Sequence, residues 1–128
     1  MNEKLLKEMD NAKGYLIIVE GKKDKWALEQ LGFRNIFVIH ETGKSLGEKI
    51  EQIQQICSKK DKACILTDFD KKGKQMYLLL KSKLNESGVR MYNTLRNSLL
   101  KERISHIEGL YKYMEKQEEK NETRRNNS

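Results

Sequence analysis

The sequence predicts an α/β fold, a four-stranded and mainly parallel sheet with helices on both faces. Three observations carry that prediction. Short β-prone apolar runs recur along the chain: YLIIV at 15–19, NIFVI at 35–39, ACILT at 63–67 and VRMY at 89–92. The segments between them repeat apolar residues at helical spacing, so strand and helix alternate. The first three runs are apolar at nearly every position, as strands covered on both faces are.

The elements follow in order. Leu5, Leu6, Met9 and Ala12 share one face of an expected helix over 2–12. The first strand is bounded by Gly14 and Gly21, and DKWALEQL then reads as a helix stopping at Gly32. After the second strand, HETGKS reads as a loop. Leu46, Ile50, Ile53, Ile56 and Cys57 mark a helix over 46–58. GKQMYLLLKSKLNESG reads as a helix ending near Gly88, and Asn93 is a suitable N-cap for a helix in NTLRNSLLKERI. Past Gly109 a short helix is expected to fray into a disordered polar end. The expected organisation is an N-terminal helix at 1–12, one α/β domain at 13–110, and a C-terminal helix and tail at 111–128.

A chain of 128 residues can bury the core of one domain. Its net charge of +7 favours an anionic partner such as nucleic acid, although solvated lysine faces account for the charge equally well. The longest apolar run, YLIIV, is too short to span a membrane, and MNEKLLKEMDNAK has no signal-peptide core. The expected location is therefore cytoplasmic, with no membrane partner. Cys57 and Cys64 fit neither a disulfide framework nor a zinc quartet and read as small buried hydrophobes.

Folds of this class bind ligands outside the carboxyl ends of their strands. Two strands end in acid there. Glu20 follows Val19, and Asp68 and Asp70 follow the third run. Asp68 and Asp70 are two residues apart on an extended segment and point the same way. Sequential strand order would place strand two between the acids and spread them by about 10 Å. The order 2-1-3-4 brings them together and is the order expected. Close carboxylates repel by roughly 1 kcal/mol per pair in water. A hydrated Mg2+, with Mn2+ as the alternative, held within reach of Glu20, Asp68 and Asp70 together, relieves that repulsion. Lys22, Lys23, Lys25, Lys71, Lys72 and Lys74 then surround the acids with charge suited to phosphates, and Gly21 and Gly73 allow close backbone approach. Alone, the D-x-D would read as a solvated turn. Its pairing with E-G-x-x-D after the first strand tips the reading to a metal site.

LIIVEGKKDKWALEQLG followed by ILTDFDKKGK resembles the Toprim domain. That catalytic fold is shared by bacterial-type primases, type IA and II topoisomerases and the nuclease that matures 5S ribosomal RNA. The resemblance covers residues 14 to about 92. It implies a Rossmann-like three-layer fold, with Glu20 as general base or acid and Asp68 and Asp70 binding the metal beside it. The family's glycines fall on Gly21 and Gly73. Its further aspartate falls on Asp24, which either assists the site or favours a helix N-terminus, the second being preferred. The loop IHETGKSLGEKIEQI looks most like that nuclease and the small stand-alone Toprim proteins of bacteria and archaea, with TDFD here where the nuclease has TDPD. Two functions are implied. One is a metal-dependent nuclease or related phosphotransferase on RNA or DNA. The other is a non-catalytic module that binds nucleic acid or joins a larger processing assembly.

Other signals are weaker. TGKS at 42–45 is not a Walker A motif, because the required glycine five residues before Gly43 is Val38. Lys44 and Ser45 remain candidates for a phosphate contact. His40 sits at the same edge as the acids, and His106 is expected to have no acidic partner that makes a metal pattern. The tyrosines at 15, 77, 92, 111 and 113 lack the context of a nucleophile.

Overall fold

The computed structural model describes residues 3–40, 43–57 and 61–126. Residues 41 and 42 of the expected loop, Ser58 of the expected third helix and the last two residues of the expected tail lie outside them. The described elements are α1 (Glu3–Ala12), β1 (Leu16–Val19), α2 (Lys22–Gln30), β2 (Ile36–Val38), α3 (Leu46–Ile56), β3 (Lys62–Ile65), α4 (Lys71–Glu86), β4 (Arg90–Met91), α5 (Thr94–Lys101) and α6 (Ile107–Asn126).

The four strands form one sheet in the order β2-β1-β3-β4, every pair parallel, as the strand-end acids require. Ile18 pairs with Phe37 on one side and with Ile65 on the other, so β1 and β3 end side by side. Side chains alternate across the sheet and divide the core in two. Ile17, Val19, Cys64 and Leu66 face α1, α2, α5 and α6, where Leu28, Leu95, Leu99, Ile107 and Leu110 cover them. Leu16, Ile18, Ala63 and Ile65 face α3 and α4, where Ile50, Ile53, Leu80 and Leu84 pack. Both cysteines are free and buried, one on each side. No helix among the described residues is long and apolar enough to cross a membrane.

Local chemistry explains most boundaries. Gly32 and Gly88 follow α2 and α4 with φ of +92° and +80°, a conformation that a side chain disfavours. The Ser45 hydroxyl accepts the Glu48 amide and caps α3. Asn93 occupies the N-cap position of α5, but its side-chain oxygen accepts the Tyr77 hydroxyl instead of a helix amide. The C-terminal helix differs from expectation. It starts before Gly109, at Ile107, and runs through the polar stretch to Asn126. Lysine, glutamate and glutamine are good helix formers, and Ile107, Leu110 and Met114 anchor the first two turns in the core. Tyr111 meets Trp26 of α2 edge-to-face at 5.3 Å, which fixes the crossing of α6 over α2.

Candidate metal centre

The strand register brings the acidic residues together, and backbone amides then orient them. Glu20 leaves the end of β1, and its Oε1 accepts the Asp68 amide at 3.0 Å. That single bond ties the ends of the two acidic strands. Asp68 Oδ1 accepts the amide of Ile107, the first residue of α6, at 3.0 Å. Asp70 is the N-cap of α4, its Oδ1 accepting the Gly73 amide at 2.8 Å. Asp24 Oδ2 accepts the Gly21 amide at 3.1 Å at the start of α2. Each carboxylate is thus held by one oxygen. Three helices begin at this edge, and the positive ends of their dipoles favour the negative charge.

Two histidines face the remaining oxygens. Asp68 Oδ2 lies 3.3 Å from His106 Nδ1, and Glu20 Oε2 lies 3.7 Å from His40 Nε2. Asp68, Asp70 and His106 each offer a ligand atom within 4.8 Å of the others. Glu20 stands beside this trio, bonded to Asp68 through the backbone. The expectation that His106 lacks an acidic partner is therefore corrected. The α6 N-terminus docks on Asp68 and carries the preceding imidazole with it. The hydrogen bond from His106 to Asp68, and the charge of Asp68, raise the imidazole pKa above its usual value. Asp24 takes the helix N-terminal role preferred for it. It bonds the first turn of α2, and burial together with the charges of Asp68 and Glu20 pushes its pKa up to about 6.

A buried arginine that carries no sequence motif supports the loop. Arg96 of α5 is only 3% exposed. Its Nη1 donates to the Thr67 and Ile65 carbonyls at 2.6 and 3.3 Å, and Nη2 donates to the Asp68 carbonyl at 3.3 Å. Its guanidinium lies 4.5 Å from the Phe69 ring centre and 4.2 Å from that of Tyr77. Phe69 points away from the acids into the core, as alternation predicts. Gly73 does allow a close approach, but the approaching group is the Asp68 carbonyl, whose oxygen would lie 1.9 Å from an added Cβ. The Thr67 hydroxyl donates to the Gly73 carbonyl at 2.7 Å and locks the same contact. At Gly21 an added Cβ would meet only Asp24 Oδ2, at 3.8 Å, an ordinary contact.

The lysines form a rim. Lys22 and Lys23 are exposed in the first turn of α2, and Lys71, Lys72 and Lys74 are exposed in the first turn of α4. Lys44 lies apart from them. With Lys25, Lys49 and Gln52 it lines a cleft of about 260 Å³ along the edge strand β2. Lys49 is tethered there to the Ile39 carbonyl.

A parallel α/β sheet with carboxylates and an imidazole gathered where adjacent strands end defines a domain built to hold a divalent cation. The chain belongs to the Toprim family, whose domain model matches residues 14–94. Toprim domains carry out metal-dependent nucleic-acid processing. The chain is 31% identical over 121 residues to a UPF0292 protein of Methanosarcina barkeri, covering 89% of this chain and 80% of that protein. It is 33% identical over 109 residues to a UPF0292 protein of Pyrococcus abyssi, covering 83% and 76%. A protein from Aquifex aeolicus has a similar solved structure, with a TM-score of 0.71 and 29% identity over 85% of this chain and 97% of that one. The donors present fit a divalent cation. Asp68 and Asp70 bring two negative charges and hard oxygens, their orientation is fixed by amides, and their separations suit one shared ion.

Proposed function

We propose that this Toprim domain holds Mg2+ or Mn2+ at Asp68 and Asp70 and performs phosphodiester chemistry on RNA or DNA at that edge. The observation that carries the reading is the bond between Glu20 and the Asp68 amide, which joins the two acidic strand ends into one rigid group. A bound cation would neutralise phosphate charge and stabilise the charge that develops in phosphoryl transfer. The remaining work falls to the chain. Glu20 moves the proton at Oε2, the oxygen facing His40. Lys22, Lys23, Lys71, Lys72 and Lys74 hold flanking phosphates, with Lys44 reaching others from the β2 edge. Cations in the first turn of a helix are locally unfavourable by about 0.3–1 kcal/mol. Five of them around one acidic centre make sense when an anion binds there. Gly21 leaves room for a backbone to approach.

The test is cleavage of labelled structured RNA and single-stranded DNA with magnesium, manganese or chelator. Wild type should cut only with metal. Glu20→Gln should lose about 100-fold or more in rate while still binding. Asp68→Asn with Asp70→Asn should lose both metal dependence and cleavage. One observation favours a second reading, a module that grips nucleic acid without cutting. Asp68 and Asp70 already accept backbone amides at helix N-termini and Glu20 accepts the Asp68 amide, so the cluster is stable without an ion. If Glu20→Gln matches wild type on every substrate and magnesium only weakens binding, that reading replaces the first.

A further inference from the structure

The match to the family's domain ends at residue 94, and His106 lies twelve residues beyond it. The segment between is built to return to the metal centre. α5 ends at Lys101, and Arg103 takes a left-handed φ of +58°, rare for a residue with a side chain. That turn sends the chain back toward the β3 edge. Ile104 and Ile107 are then buried in the core on either side of the loop. The Ser105 carbonyl accepts the Phe69 amide at 2.9 Å, and the Ile107 amide binds Asp68 Oδ1. Three anchors therefore hold His106 against the D-x-D loop.

We propose that His106, supplied from outside the family's domain, is a third ligand to the cation held by Asp68 and Asp70 and biases the site from magnesium toward manganese and cobalt. The inference rests on the metal-site reading above. Its geometry comes from the trio itself. Ligand atoms about 2.1 Å from a common ion lie about 3.0 Å apart at right angles and about 4.2 Å apart when opposite. The separations here, up to 4.8 Å with Asp68 Oδ2 and His106 Nδ1 at 3.3 Å, require only small closure around an ion. Magnesium prefers oxygen donors and keeps its waters, whereas imidazole suits the later first-row ions. An all-oxygen acidic site discriminates little between Mg2+ and Mn2+. Adding one imidazole shifts the preference without adding charge. The opposing possibility is an imidazole that only hydrogen-bonds Asp68 and orients it.

Calorimetric titration of the full chain with Mg2+, Mn2+ and Co2+, beside the visible spectrum of bound Co2+, separates the two. His106 is 54% exposed, so His106→Ala and His106→Gln should fold, with unchanged circular dichroism as the check. Both variants should bind Mn2+ and Co2+ at least about tenfold more weakly. Mg2+ affinity should change less than about threefold, and the Co2+ absorption bands should shift. Equal weakening for all three ions with an unshifted Co2+ spectrum would overturn the proposal, leaving His106 as an orienting partner. Unchanged affinities would overturn it as well. Asp68→Asn distinguishes the underlying reading. If that variant loses binding and the His106 variants do not, only this proposal fails. If wild type binds none of the ions, both fail.

Discussion

Asp24 shows how the site acts on one residue. Burial first, then the charges of Asp68 and Glu20, raise its carboxyl from 3.8 to about 6. The folded state therefore holds the proton more tightly than the unfolded chain does. Stability is greatest with Asp24 protonated and falls as pH rises from about 4 through about 6. Asp24→Asn keeps an oxygen for the Gly21 amide and removes the charge. In chelator, its melting temperature should match wild type near pH 4 and exceed it by about 2–4 °C at pH 8. That range corresponds to roughly 1 kcal/mol once partial exposure is allowed for. A gap that does not grow with pH would show that Asp24 is not under this strain. Gly73 is the converse case, a residue defined by what cannot be added. Glycine-to-alanine changes inside helices usually stabilise by up to about 1 kcal/mol. Here the new Cβ meets the Asp68 carbonyl at 1.9 Å. Gly73→Ala should instead destabilise by about 2–4 kcal/mol in urea unfolding. The sign of the change decides whether this contact is as tight as the geometry requires.

At the scale of elements, α5 and α6 build the support for the acids. Arg96 reaches from α5 to three carbonyls at the end of β3 and stacks between Phe69 and Tyr77. Arg96→Met should cost about 2–4 kcal/mol, because buried carbonyls lose charged donors. Arg96→Lys should recover less than half of that, since an ammonium can neither fork across the carbonyls nor stack between rings. Full rescue by lysine in chemical denaturation would reduce Arg96 to a simple positive charge. These two helices also mark the limit of what the motifs disclosed. E-G-x-x-D and D-x-D located Glu20, Asp68 and Asp70 because each follows a strand, and strands announce themselves in runs of apolar residues. Arg96 lies within a helix and His106 follows one, so neither stands directly at a strand end. Their spacing to the acids in sequence is arbitrary, and only helix docking makes it short in space.

Across the whole molecule, the charge pattern sets the expected response to salt. A net charge of +7 with lysines in the first turns of α2 and α4 surrounds an acidic centre. Affinity for duplex nucleic acid, followed by fluorescence anisotropy, should fall by about 0.9 power of salt concentration for each phosphate neutralised. Lys71→Ala with Lys72→Ala should reduce that slope by up to about 2. Low magnesium should strengthen binding before competition weakens it. A monotonic decline from the first addition would mark a plain basic patch.

The sequence alone determined the alternation of strands and helices, the two-faced burial of the sheet and the acidic strand ends. It pointed to the strand order as well, because 2-1-3-4 brings Glu20 beside Asp68 and the sequential order does not. These features rest on periodicity and on chemistry within a few residues, which a linear chain displays directly. Tertiary structure alone decided that the Asp68 carbonyl fills the space at Gly73, that Arg96 caps β3 and that His106 faces Asp68. It also extended the last helix to Asn126 by anchoring its start in the core. Each of these depends on how distant elements dock, and docking is fixed by the packing of the whole core rather than by any local pattern.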